Sequence, residues 1–173
     1  MHQYYVLNKD LLFKKGEIMI YFKVKNVKSF MSILFGSKVF DKILVSECEI
    51  HTITQITISG QRSKKWCKDM ELDANTFIGD VSYCRWEEIK EIVYGMIKGK
   101  KAPSYMKIIF ATKIDSDKPS DNAVFTVKYE EDSVNVITGY QSFEFSIDRT
   151  MEKRWDNMVR EVLEKAEIEL IEL

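Results

Sequence analysis

Glu47, Glu49 and His51 are the residues whose types and spacing come nearest to chemistry. Every second residue of a strand projects from the same face, and two carboxylates beside an imidazole are the parts of an acid–base or metal-binding trio. No second histidine stands near them, so the same side chains read more simply as the wet face of a half-buried strand. Cys48, with His51, Cys67 and Cys84, supplies the residue types of a zinc site. Strand alternation, however, sends Cys48 and His51 to opposite faces, and buried free thiols are the better account.

The segment Gly95 to Lys101, GMIKGKK, has three residues between its glycines where a phosphate loop has four, and Lys101 stands where Ser or Thr belongs. It also follows a helix, whereas phosphate binds at the end where amides point outward. No nucleophile elbow and no dinucleotide-binding glycine pattern occurs. The sequence therefore offers no catalytic residue, no metal ligand set and no cofactor site. The one binding candidate is basic: Lys98, Lys100, Lys101 and Lys107, with Arg85 at the other end of the helix. Lysines at a helix end also complement its dipole, and the aromatics do not interleave with them as in single-strand binders.

The element that must carry these lysines runs from Tyr83 to Phe110. Trp86, Ile89, Val93, Met96 and Ile97 recur at helical spacing, Glu87 and Glu88 sit in the first turn, and Gly99 is placed to end the helix in a left-handed conformation. Pro103 blocks any return to helix, and Tyr105 to Lys113 reads as a strand. Upstream, Met19 to Lys25 reads as a strand. Asn26 then caps a helix with Val27, Phe30, Met31 and Leu34 on its apolar face, closed by Gly36. Ile43 to His51 and Thr54 to Gly60 form a hairpin, and Trp66 to Leu72 and Thr76 to Val81 are weaker strands. Asp115 to Asn122 is the most polar loop. Ala123 to Tyr129, Val134 to Thr138 and Phe143 to Ile147 then follow as a meander with turns at Glu130 to Ser133 and around Gly139. Asp148 or Thr150 caps a last helix striped by Trp155, Met158, Val159, Val162, Leu163 and Ala166. Glu167 to Leu173 either continues it or forms an edge strand.

These elements predict an α+β fold, a mainly antiparallel sheet with two to three helices on one side. The domain expected is residues 19–173, preceded by a strand, hairpin or arm over residues 1–18 with a turn at Lys14 to Gly16. With 173 residues and a net charge of -1, no global field draws the chain to nucleic acid or anionic lipid. Three cysteines and an N-terminal apolar cluster cut by Asn8, Lys9 and Asp10 point to a reducing cytoplasm, and no run reaches the ~20 apolar residues of a membrane span.

Tyr83, Trp86, Ile89, Lys98-Gly99-Lys100 with Pro103 and Lys107, and Trp155-Asp156 with Val159 and Leu163, together resemble an uncharacterised family of small proteins from Gram-positive anaerobes. The resemblance covers Met19 to Leu163, with the KGK-x-x-P and W-D pieces its most specific parts. It implies a compact cytoplasmic domain of unknown function. The order strand, helix, strands, given twice, is also similar to the β-α-β-β-β duplication of one DNA sliding-clamp domain. In that layout Lys25, Lys28, Arg85, Lys90 and Lys98 would face DNA, opposed by Glu87, Glu88 and Glu91. The function expected is a non-catalytic interaction module, binding a protein partner or itself. Electrostatic nucleic-acid binding through the basic set is one alternative, and an enzyme built on the Glu47, Glu49 and His51 strand is another.

Overall fold

Asn26 acts as its place before an apolar helical repeat predicts. Its side chain accepts the Ser29 N–H at 2.9 Å and opens α1, Val27–Gly36. The computed structural model describes residues 5–6, 12–13, 20–63, 65–66, 83–112, 122–141 and 148–172. Helix α2, Trp86–Ile97, starts at Arg85, whose N–H donates to Glu88 Oε2 at 2.7 Å. The next two amides, Trp86 and Glu87, donate to the carbonyls of Ile43 and Asp41, so the start of α2 is tied to the loop that leaves α1. Trp86, Ile89 and Val93 are buried, whereas Met96 reaches the surface. The helix ends where Lys98 turns extended (φ -67°, ψ 117°), and not through a left-handed Gly99.

Helix α3, Thr150–Lys165, follows Asp148, whose carboxylate accepts the Thr150 N–H. It stops at Glu167, which takes φ 57°; the Glu167 N–H reaches Glu164 O at 2.9 Å and the Ile168 N–H reaches Leu163 O at 3.0 Å. This paired closure satisfies the orphan carbonyls and turns the chain back, so the tail becomes an edge strand.

Ten strands occur among the described residues. β1 (Tyr5–Val6) and β2 (Leu12–Phe13) form a small antiparallel pair. The main sheet contains β3 (Tyr21–Val24), β4 (Leu44–His51), β5 (Gln55–Ser59), β6 (Cys84–Arg85), β7 (Tyr105–Thr112), β8 (Asn122–Glu130), β9 (Ser133–Gln141) and β10 (Leu170–Glu172). Its order is β10-β3-β9-β8-β7-β4-β5, antiparallel throughout, with β6 on the same edge of β4 as β5. The fold is α+β. The elements run β-α-β-β through β5 and β-α-β-β-β from β6 to β9, and β5 flanks β4 as β8 flanks β7.

A bulge between Val45 and Glu47 lets β5 and β6 share one edge. The chain crosses there at Gly60, where a Cβ would lie 1.7 Å from the Val45 carbonyl oxygen. The β8–β9 turn is a two-residue connection with Glu131 and Asp132 both left-handed (φ 50° and 56°), which matches the strand twist. β9 does not turn at Gly139 but runs through it to Gln141, because β8 pairs with it along its whole length. Thr76 to Val81, Phe143 to Ile147, most of Trp66 to Leu72, the loop from Asp115 and the turn expected at Lys14 to Gly16 lie outside the described residues.

The helices pack on one face of the sheet. Phe40, Phe110 and Phe125 stack in the centre of the core, with Trp86 from α2 and Trp155 from α3 against them. Both indoles are satisfied, Trp86 by the Leu34 carbonyl at 2.7 Å and Trp155 by the Val124 carbonyl at 2.9 Å. Among the described residues, no helix is long and apolar enough to cross a membrane.

Candidate functional site

The sheet register turns the face opposite the helices into ordered rows. Glu49 stands across from Lys107, Lys107 from Lys128, Lys128 from Asn135, and Asn135 from Lys23. One step along, His51 stands across from Tyr105 and Tyr105 from Glu130. Side chains opposite one another in a sheet lie close enough to interact, and these do. His51 Nε2 is 2.7 Å from Glu49 Oε1, and its ring lies 4.6 Å from that of Tyr105. Lys107 Nζ sits 3.0 Å from Glu49 and 3.5 Å from Glu47, while Lys128 Nζ is 2.9 Å from Glu130 and 5.4 Å from the centre of the Tyr105 ring. Lys128 is only 5% exposed.

The geometry decides the charges. The His51 hydrogen bond, followed by that of Lys107, holds the Glu49 carboxyl below its ordinary value. Burial pulls the Lys107 ammonium down, but the Glu49 hydrogen bond and the nearby Glu49, Tyr105 and Glu47 charges outweigh it and keep it above its usual value. Lys107 is therefore a fixed cation and no nucleophile. Glu49, His51, Gln55, Ser104, Tyr105 and Lys107 line a polar cleft of about 690 Å³, with Glu130 and Glu131 at its far side. The Ser104 hydroxyl donates to the His51 carbonyl oxygen at 3.3 Å, so it does not meet the imidazole as a nucleophile meets its base. Cys48 lies buried in the core on the other side of the strand, its thiol pushed up to about 12, first by burial and then by Glu47 and Glu49. Among the described residues no group of three His, Cys, Asp or Glu side chains is placed to hold a metal ion.

The five basic residues of the sequence reading divide among three places. Lys98, Lys100 and Lys101 are exposed together in the turn after α2. Arg85 is at the start of that helix, about 18 Å away by helical rise, with its guanidinium 3.7 Å from Glu87. Lys107 belongs to the row described above. Of the lysines that a clamp layout would aim at DNA, Lys90 is 2.6 Å from Asp41 and also donates to the Ser37 carbonyl, pinning α2 to the loop after α1. Lys25 is 3.4 Å from Glu169.

A second concavity lies on the helical face. Between α3 and the entry to β4 is a mostly apolar groove of about 250 Å³, with Phe125, Trp155 and Val159 along it, Lys42 and Ile43 on one wall, and Met158 and Val162 on the other. Met158 and Val162 are 43% and 38% exposed, while Trp155, Val159 and Leu163 are buried. The Lys42 wall is held in place by the two α2 amides and by an ion pair from Lys42 Nζ to Glu87 at 2.8 Å.

A family model matches residues 33–170, from the middle of α1 to the start of β10. That span is most of the chain. The protein belongs to DUF5721, a family of unknown function. No curated protein and no solved structure matches it. Every residue of the polar cleft and of the apolar groove falls inside the DUF5721 span.

Sequence reading of this DUF5721 chain missed both concavities. The cleft depends on the pairing of β4 with β7, which no local pattern encodes. The groove did leave a signal. At 100° per residue, the apolar positions of α3 from Met158 to Leu163 span about 140°, wider than a helix needs to cover one contact with a sheet.

Proposed function

We propose that this domain is a non-catalytic interaction module whose α3 groove receives apolar side chains of a protein partner. One observation carries the reading: an aromatic-floored groove bordered by two exposed apolar residues, Met158 and Val162, one turn apart on a single helix. Covering a fully exposed Met or Val side chain is worth about 1.5–3 kcal/mol, and Met158 and Val162, each more than half buried already, would add a fraction of that on association. The anionic dye 1-anilinonaphthalene-8-sulfonate tests it, added to dilute protein. Binding with one dye per chain that V162D removes is the expected result; no binding, or binding untouched by V162D, ends the proposal. Cys48, a free thiol buried in the core, fits a module that works in a reducing compartment such as the cytoplasm.

The Glu49–His51 hydrogen bond inside a polar cleft favours a second reading, an enzyme in which His51 moves a proton and Glu49 orients its ring. Turnover in a substrate panel that H51Q abolishes, with folding intact, is what this reading requires. The exposed turn lysines Lys98, Lys100 and Lys101 support a third, clamp-like or other electrostatic binding of nucleic acid, with Arg85 and Lys107, the rest of the basic set, lying elsewhere on the surface. Phosphate contacts are strongest at low salt, and absence of DNA affinity there eliminates it.

A further inference from the structure

We infer that the occupant of the α3 groove is a second copy of this chain, docked helix against helix in antiparallel orientation. This rests on the reading of the groove as an association surface and adds the identity of the partner. The first argument is shape. Knob and hole lie side by side on one surface, exposed Met158 and Val162 on the lip of a groove that admits such side chains. A surface carrying both is self-complementary about a two-fold axis, the requirement for an isologous dimer.

The second argument is charge. The outward face of α3 has Lys153 and Arg154 in its N-terminal half and Glu161 and Glu164 in its C-terminal half, all exposed. Arg154 and Glu161 are two turns apart, about 10.5 Å along the same side of the helix. An antiparallel crossing centred at Asn157 and Met158 sets Arg154 against Glu161 of the partner subunit, and Glu161 against Arg154 of the partner subunit. A parallel crossing would place like charges together. Lys165, 3.5 Å from Glu161 within the chain, does not prevent this. That pair is exposed, and exposed i,i+4 pairs contribute little. The dipoles of the two helices also oppose one another favourably in the antiparallel arrangement.

Charge reversal tests the pairing. Sedimentation velocity on the full chain at low salt is expected to give a dimer, weakened at least tenfold by R154E alone or by E161R alone. Each single variant replaces two attractive contacts by two repulsive ones. An equimolar mixture of R154E and E161R is expected to dimerise at least as tightly as the unmodified protein, because both contacts are then attractive. The substituted positions are solvent-exposed, and circular dichroism of each variant checks that it is folded. A mixture no tighter than its components overturns the inference, as does a dimer indifferent to all the substitutions, whose contact must lie elsewhere. A strict monomer at high concentration overturns it as well. Dye binding sensitive to V162D would, in each of these cases, leave the groove itself standing as a site for another protein.

Discussion

Among the described glycines, Gly60 is the one whose replacement with alanine should cost this fold most. The added Cβ would sit 1.7 Å from the Val45 carbonyl oxygen and 2.5 Å from its carbon, both backbone atoms inside β4. Non-bonded heavy atoms do not settle much closer than ~3.5 Å, so the chain at residue 60 would have to retreat by well over an ångström. That retreat breaks two backbone hydrogen bonds, Gly60 N–H to Ser46 O at 2.9 Å and Cys84 N–H to Gly60 O at 2.7 Å. At about 1–1.5 kcal/mol each, the loss is roughly 2–3 kcal/mol before any displacement of β6 is counted. In a domain with roughly 5–15 kcal/mol of stability, and about 2–4 °C of melting temperature per kcal/mol at this size, G60A should melt about 5–10 °C lower. Thermal denaturation followed by circular dichroism reads the shift, and amide exchange at Cys84 should accelerate with it. A melting temperature within 2 °C of the parent would refute the crossing geometry.

Three more expectations follow from the ionisable groups Asp156, Glu49 and Cys48. Asp156 is 3% exposed and burial, opposed by a Thr138 hydrogen bond and by Arg160, raises its carboxyl above the ordinary value. A raised folded pKa gives stability that is present below the unfolded value and lost as pH rises through the folded one, so D156N should stabilise the protein at pH 7 and lose that advantage near pH 4. Denaturant melts at the two pH values would contradict this if D156N were the weaker protein at pH 7. Glu49 has the opposite sign: its lowered carboxyl adds stability above the unfolded value of 4.5 that disappears as pH falls through the folded one. E49Q should therefore flatten the acid limb of the stability curve, and an unchanged limb would dissolve the Glu49–His51–Lys107 account. Cys48, fully buried with its thiol near 12, should escape iodoacetamide at pH 8 until denaturant is added; peptide mass spectrometry showing it alkylated in the native protein would be the contrary result.

Local chemistry was legible in the sequence and long-range pairing was not. Asn26, the Phe30 and Leu34 spacing, the Cys48–Ile50 alternation and the Glu131–Asp132 turn all act within a few residues, and each takes its expected form. Gly139 shows where such local signals fail. Isolated glycine suggests a turn, yet here it lies within a paired strand with Val124 against it, since neighbouring hydrogen bonds outweigh the preference of one residue. Glu167 is the converse case, a helix stop made by a residue other than glycine because Ile168 and Leu163 close the motif around it. The cleft was out of reach for a plainer reason. Glu49 and Lys107 are set opposite one another by the β4–β7 register, and periodicity within either strand is blind to that.

The same register explains why the charged face of the sheet is the weaker candidate for association, although it drew attention first. Lys107 is held between Glu47 and Glu49, Lys128 is paired with Glu130, and His51 is engaged by Glu49. A partner replacing any of these contacts would exchange one charge-assisted bond for another and gain little. On the helical face the Trp155 indole has the Val124 carbonyl and the start of α2 has Asp41 and Ile43, although Glu152 Oε2 and Arg160 Nε on α3 are buried without a hydrogen-bond partner. Apolar surface is left there as well: Met158 and Val162 remain partly in water beside a groove of their own kind. Burial of apolar area is non-directional and needs no bond to be broken first, so α3 offers a partner free energy that the charged face does not.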